Sequence, residues 1–179
     1  MFIGRGGQNV LAAARILASA LLSEGRHVLA FPAASFSRWG APSSARIRFD
    51  DRPVRLRCRI KDFDGLVLFD DTLLQHEETL DGLKKGGLCV INTRGDISHE
   101  ILQDYQVVTI DASSIAVRHN LGSPSHPMVV SAMLGAFSRA SAEIPVNAIL
   151  SVIDEHLGSR SEDSAAALMT AYDAATNCR

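Results

Sequence analysis

Residues 2–31 read FIGRGGQNVLAAARILASALLSEGRHVLAF. Phe2 and Ile3 are the stub of a strand. A glycine-rich turn follows at Gly4, Gly6 and Gly7. Val10 to Leu22 is rich in alanine and leucine and holds neither glycine nor proline, so it predicts a helix, which Gly25 ends. His27 to Phe31 is a short apolar run, a buried strand by its length and neighbours. Strand, glycine turn, helix and strand form a βαβ unit.

Working outward, residues 32–42 (PAASFSRWGAP) are a loop bounded by proline and glycine. Ala45, Ile47 and Phe49 then alternate with Arg46 and Arg48. Beyond DDRP, Val54, Leu56, Cys58 and Ile60 alternate with Arg55, Arg57 and Arg59. A period of two on both sides of a turn predicts an antiparallel hairpin with one apolar face and five arginines on the other. Gly65 to Phe69, Leu88 to Ile91 and Gln106 to Ile110 are further buried strands. Thr72 and Gln75 have capping-box spacing for a helix after Asp70 and Asp71. Ala112 to Asn120, Met128 to Ala140, Val146 to His156 and Ser161 to Ala175 read as helices. The expected architecture is α/β and Rossmann-like: a mainly parallel sheet, helices on both faces and an antiparallel hairpin insertion. Residues 1–179 form one domain on this reading, since no repeat, low-complexity tract or linker interrupts them.

Composition narrows the chemistry. A net charge of −2 gives no bulk reason for a nucleic-acid or membrane partner. Cys58, Cys89 and Cys178 are far apart and form neither CxxC nor a Cys/His cluster, so no zinc or iron–sulfur site is expected within the chain. Sparse, unpaired cysteines suit a cytoplasmic location. No secretion signal is read at the N-terminus, and every apolar stretch is broken well short of about 18 residues, so no membrane span is expected.

The turn itself admits more than one occupant. A dinucleotide fingerprint, GxGxxG, matches at Gly4 and Gly6, but its third position is Asn9, whose side chain is expected to hinder close helix–sheet packing. The second strand ends at Phe31 and Pro32 without the acidic residue that anchors a ribose, and no GKS or GKT makes a phosphate loop. The alternative is a structural turn. Arg5 and Gln8, however, are polar and lie at the carboxyl edge of the sheet, where α/β proteins place function.

GRGGQN at residues 4–9, AFPAASFSRWGAP at 30–42, FDDTLL at 69–74, TIDASSIA at 109–116 and VVSAMLGAF at 129–137 follow one another in order. From Gly4 to about Ile153 this succession resembles the gamma subunit of the 2-oxoacid:ferredoxin (acceptor) oxidoreductases. The usual family opening is GRGGQG, with Asn9 here in place of the last glycine. The family's RRGAP appears as Arg38, Trp39, Gly40, Ala41 and Pro42. The resemblance implies a Rossmann-like subunit of a complex that oxidatively decarboxylates a 2-oxoacid to an acyl-CoA. Thiamine diphosphate with Mg2+ lies between alpha and beta subunits, and 4Fe–4S clusters lie largely in beta and in a ferredoxin-like delta subunit. The gamma chain binds none of these itself and shapes the approach of coenzyme A. The absence of a GDG…N pattern for thiamine diphosphate agrees with that implication. The family likeness singles out Arg5, Gly6, Gly7, Gln8 and Asn9 together with Ser37, Arg38 and Trp39 as subunit-interface or coenzyme-A-approach residues. The departures at Asn9 and Trp39 suggest an aromatic 2-oxoacid such as phenylglyoxylate. A free-standing nucleotide-binding protein is the alternative.

Other constellations stay open on sequence. Asp70 and Asp71 are either a metal pair or a helix start, where carboxylates cap free N–H groups. The arginine face suits solvent or an acidic subunit better than nucleic acid, since no aromatics are interleaved. Trp39 is either core or interface. His27, His76, His99, His119, His126 and His156 have no metal-ligand or triad spacing, and no residue is assigned a catalytic role.

Overall fold

The computed structural model describes residues 1–32, 40–55, 58, 61–95, 97 and 100–178. The strands are β1 (Phe2–Arg5), β2 (His27–Pro32), β3 (Pro42–Asp50), β4 (Phe63–Leu68), β5 (Leu83–Asn92), β6 (Gln106–Ile110), the short pair β7 (Gly122–Ser123) and β8 (His126–Pro127), and β9 (Thr176–Cys178). The helices are α1 (Val10–Ser23), α2 (Ala112–Arg118), α3 (Val130–Ser141), α4 (Val146–Leu157) and α5 (Ser161–Ala174). The main sheet runs β2-β3-β1-β4-β5-β6-β9. Strands β1, β4, β5 and β6 pair parallel; β3 runs antiparallel to both β1 and β2, and β9 runs antiparallel to β6.

Strand alternation splits the core in two. Phe2, Ala45, Val67, Val90 and Val108 face one side, where they pack with buried residues of all five α-helices. Ile3, Leu66, Leu68, Cys89 and Ile91 face the other, where among the described residues they pack with Leu73, Leu74 and Leu102 of short 3₁₀ turns and with neighbouring strand ends and loops. The crossover from β1 travels over the first side through α1, and those from β4 and β5 travel over the second. That reversal puts a topological switch point between the carboxyl ends of β1 and β4.

The first half of the arginine-rich alternation is β3. Residues 42–50 enter the main sheet between β1 and β2, pairing Phe2 with Ala45 and Val28 with Phe49. Ala45, where the two ladders meet, is fully buried. Pro53 and Val54 are irregular, and Leu56, Arg57, Arg59 and Ile60 lie outside the described residues. β3 is antiparallel to both neighbours, so β1-α1-β2 has a strand between its two parallel members.

The helix expected after Asp70 is instead a 3₁₀ turn over Asp71–Gln75, capped by Asp70 rather than Thr72. The Asp70 carboxylate accepts from the Thr72 amide at 3.1 Å. The Thr79 hydroxyl donates to the Leu73 carbonyl at 2.6 Å, taking an acceptor that an α-helix would use. The strand at β9 and the β7–β8 pair had no counterpart in the sequence reading.

Candidate functional site at the carboxyl edge

The chain leaves β1 at Arg5 and reverses in a tight turn, closed by the Gln8 amide donating to the Arg5 carbonyl at 3.0 Å. Gly7 takes a φ of 101°, and Asn9 sits in the left-handed region at φ 56° and ψ 37° before α1 begins. Of the residues with a side chain, asparagine is among the few that visit this region routinely. Asn9 is exposed, so the expected obstruction of helix–sheet packing does not arise. The close approach occurs at Gly4: a Cβ there would lie 2.8 Å from Val10 Cγ1 and from Gln8 Oε1, and 2.9 Å from Phe69 Cβ.

Arg5 and Gln8 turn inward across the switch point. Arg5 Nε lies 3.2 Å from Asp70 Oδ2, its Nη1 donates to the Gly40 carbonyl at 3.3 Å, and its Nη2 donates to Thr72 Oγ1 at 2.5 Å. The Gln8 side chain accepts from the Arg5 amide at 2.7 Å and donates to Asp70 Oδ2 at 3.4 Å. The Thr72 hydroxyl also donates to Asp70 Oδ1. Gly6 exchanges backbone bonds with the end of the 32–42 loop: its amide donates to the Ala41 carbonyl at 2.7 Å, and the Gly40 amide donates to the Gly6 carbonyl at 3.1 Å. The end of that loop, Gly40 and Ala41, therefore lies beside the glycine turn. Ser37, Arg38 and Trp39 lie outside the described residues.

This arrangement does not fit a nucleotide diphosphate. The glycine turn faces the Asp70 carboxylate, which would repel a phosphate where a Rossmann turn cradles one. Among the described residues no three His, Cys, Asp or Glu side chains converge. Cys89 is buried in β5, and burial pushes its thiol up to about 12, so it is a core residue rather than a thiolate ligand. Asp70 has a capping and pairing role, and Asp71 accepts from the Thr93 hydroxyl at 2.6 Å.

Next to the turn, the ends of β4 and β5 frame a cleft of about 380 Å³ lined by Gln8, Asp70, Thr72, Asn92, Thr93 and Ser113, among others. Asn92 is buried; its Nδ2 donates to the Phe69 carbonyl at 2.9 Å and lies 3.1 Å from Ser113 Oγ, and its Oδ1 accepts from the Ser113 amide at 3.3 Å. The Asp111 carboxylate caps α2 through the Ser114 amide at 2.8 Å. The sequence reading passed over Asn92, Thr93 and Ser113. The signal was present: Asn92 and Thr93 directly follow the LCVI strand, and polar residues at each carboxyl strand end are the ones to examine in an α/β sheet.

Comparisons with known proteins identify the family. The family model described as pyruvate ferredoxin/flavodoxin oxidoreductase matches residues 1–174. Pyruvate synthase subunit PorC of Methanocaldococcus jannaschii is 37% identical over 173 residues, covering 96% of this chain and 93% of the relative. The pyruvate/ketoisovalerate oxidoreductases common subunit gamma of Thermococcus kodakarensis is 35% identical over 178 residues, covering 96% and 94%. The crystal structure of pyruvate oxidoreductase subunit PORC from Thermotoga maritima matches with a TM-score of 0.82 at 27% identity, covering 99% of this chain and 96% of that one. The family model over residues 1–174 and relatives of 35–37% identity along nearly the whole chain place it in the pyruvate ferredoxin/flavodoxin oxidoreductase family, as a gamma-type subunit.

Proposed function

We propose that this chain docks through the carboxyl edge of its sheet onto the alpha, beta and delta subunits of a cytoplasmic 2-oxoacid:acceptor oxidoreductase. There it shapes the approach of coenzyme A to an active site held by those subunits. Thiamine diphosphate with Mg2+ supplies the decarboxylation chemistry in the partner subunits, and 4Fe–4S clusters in them carry the electrons. This chain contributes position and shape. Arg5, Gly6, Gly7, Gln8 and Asn9 build the turn, and Ser37, Arg38 and Trp39 belong to the loop whose end is tied to it.

The observation that carries the reading is the Arg5–Asp70–Gln8 network. It leaves the glycine turn folded but unsuited to phosphate, which suits a subunit that presents a surface and argues against a free-standing nucleotide-binding protein. Relatives named for pyruvate and ketoisovalerate favour a small aliphatic 2-oxoacid. The aromatic alternative now rests on Trp39 alone, since the backbone angle accounts for Asn9.

The test is anoxic purification of the tagged chain from its own host, followed by a visible spectrum and a thiamine diphosphate assay. Coenzyme-A-dependent turnover of pyruvate, 2-ketoisovalerate and phenylglyoxylate is then measured. A brown, thiamine-containing complex with 2-oxoacid activity supports the reading. A colourless chain free of other subunits, binding a nucleotide by calorimetry, overturns it.

A further inference from the structure

The β1–β4 ladder stops short of the sheet's edge. Its last backbone contact is the Phe69 amide donating to the Ile3 carbonyl at 2.8 Å. On the other side, the β1–β3 pairing ends where Arg5 faces Pro42. Beyond these points three chain segments meet without a common ladder: the glycine turn, the loop end at Gly40, and the 3₁₀ turn at Asp70–Thr72. One side chain touches both of the others from the first. The three guanidinium nitrogens of Arg5 reach three acceptors, at 3.2 Å to Asp70, 3.3 Å to Gly40 and 2.5 Å to Thr72. These acceptors are 35 to 67 residues away in sequence. The Arg5 backbone is engaged as well, its amide donating to Gln8 Oε1 and its carbonyl accepting from the Gln8 amide.

We propose that Arg5 is the positioning residue of this edge: its planar fork holds the glycine turn, Gly40 and the Asp70–Thr72 turn in one arrangement, and neighbouring subunits read the surface so arranged rather than Arg5 itself. The proposal rests on the reading of this edge as a docking surface. It replaces the sequence-based expectation that Arg5 faces a neighbour directly. A lysine cannot substitute, because one ammonium at the end of a flexible stem does not reach three acceptors lying in different directions. Asp70 is the natural second member, since it binds Arg5, Gln8 and Thr72 together.

The experiment compares Arg5→Met, Arg5→Lys and Thr72→Val with the wild type, and uses Arg15→Met on the exposed side of α1 as the control. Amide hydrogen exchange is read on the full chain, and affinity for the remaining subunits of the complex is read by titration. In both Arg5 variants, protection of the Gly40 and Thr72 amides is expected to fall about tenfold, as for a local opening, while the Val90 amide in β5 is unchanged. Thr72→Val, which removes one acceptor and no charge, gives a smaller loss and keeps the test open if the Arg5 variants fold poorly. Subunit affinity falls about tenfold in Arg5→Met and is not rescued by Arg5→Lys, as expected where one ammonium replaces a fork. Wild-type exchange in both Arg5 variants overturns the clamp, and so does full rescue by lysine, which would make charge rather than fork geometry the requirement. Loss of protection with unchanged affinity upholds the clamp and overturns the docking reading.

Discussion

The two edges of the sheet both carry arginine ion pairs, and they use them differently. At the amino edge Arg26 pairs with Asp51 at 2.5 Å and Glu143 at 3.7 Å, and its guanidinium lies 5.1 Å from the Phe49 ring centre. Arg26 is 24% exposed, but those carboxylates are 80% and 52% exposed. Lys84 with Asp64 and Lys85 with Asp104 are equally open to water. Such pairs are screened and add little. At the carboxyl edge Arg5 and Asp70 are 32% and 20% exposed, and both are hydrogen-bonded to backbone and to other side chains. The difference shows where the fold invests in a defined surface. The amino-edge pairs end on exposed carboxylates, whereas Arg5 and Asp70 are each held by further hydrogen bonds from separate segments.

The largest contrast is steric. Gly4→Ala is expected to destabilise the chain by about 2–3 kcal/mol, because the new Cβ meets Val10 and Phe69 inside the packed turn. Gly65→Ala, toward the amino end of β4, meets nothing nearer than the Leu88 carbonyl at 3.9 Å and should stay within about 0.5 kcal/mol. Denaturant melts of the two variants check this, and equal losses would erase the distinction. Next comes charge. Arg5→Met is expected to weaken subunit association about tenfold and Arg26→Met less than about twofold, measured by titration of the purified complex. Association more sensitive to Arg26 would move the docking surface to the other edge. Smaller still, Asn9→Ala should cost about 1 kcal/mol and Asn9→Gly a few tenths or less, since only the backbone angle is at stake. A large loss from Asn9→Gly would mean that the side chain itself is used. The smallest effect belongs to Asp51→Asn, within about 0.5 kcal/mol by thermal melt.

Much of the fold was legible because strand and helix periods are local. The Val10–Ser23 helix, the His27 strand and the Gln106–Ile110 strand match their sequence readings closely. The position of β3 was not legible: Ala45, Ile47 and Phe49 announce a strand but not which neighbours it pairs with, and pairing is decided by tertiary burial. Residues 71–75 misled because a capping-box spacing says nothing about the Thr79 hydroxyl that competes for the Leu73 carbonyl. At the site, the turn and its place at the edge could be read from glycine spacing. That Asp70 and Thr72 meet it could not, because they follow β4, which the sheet order alone brings beside β1.

The most direct measurement of the central claim is amide hydrogen exchange of this chain alone and within its complex. The account predicts that assembly slows exchange at Arg5–Asn9 and Asp70–Thr72 and leaves Asp50–Arg52 at the amino edge unchanged. Protection confined to the amino edge, with the glycine turn exchanging as in the free chain, would contradict it.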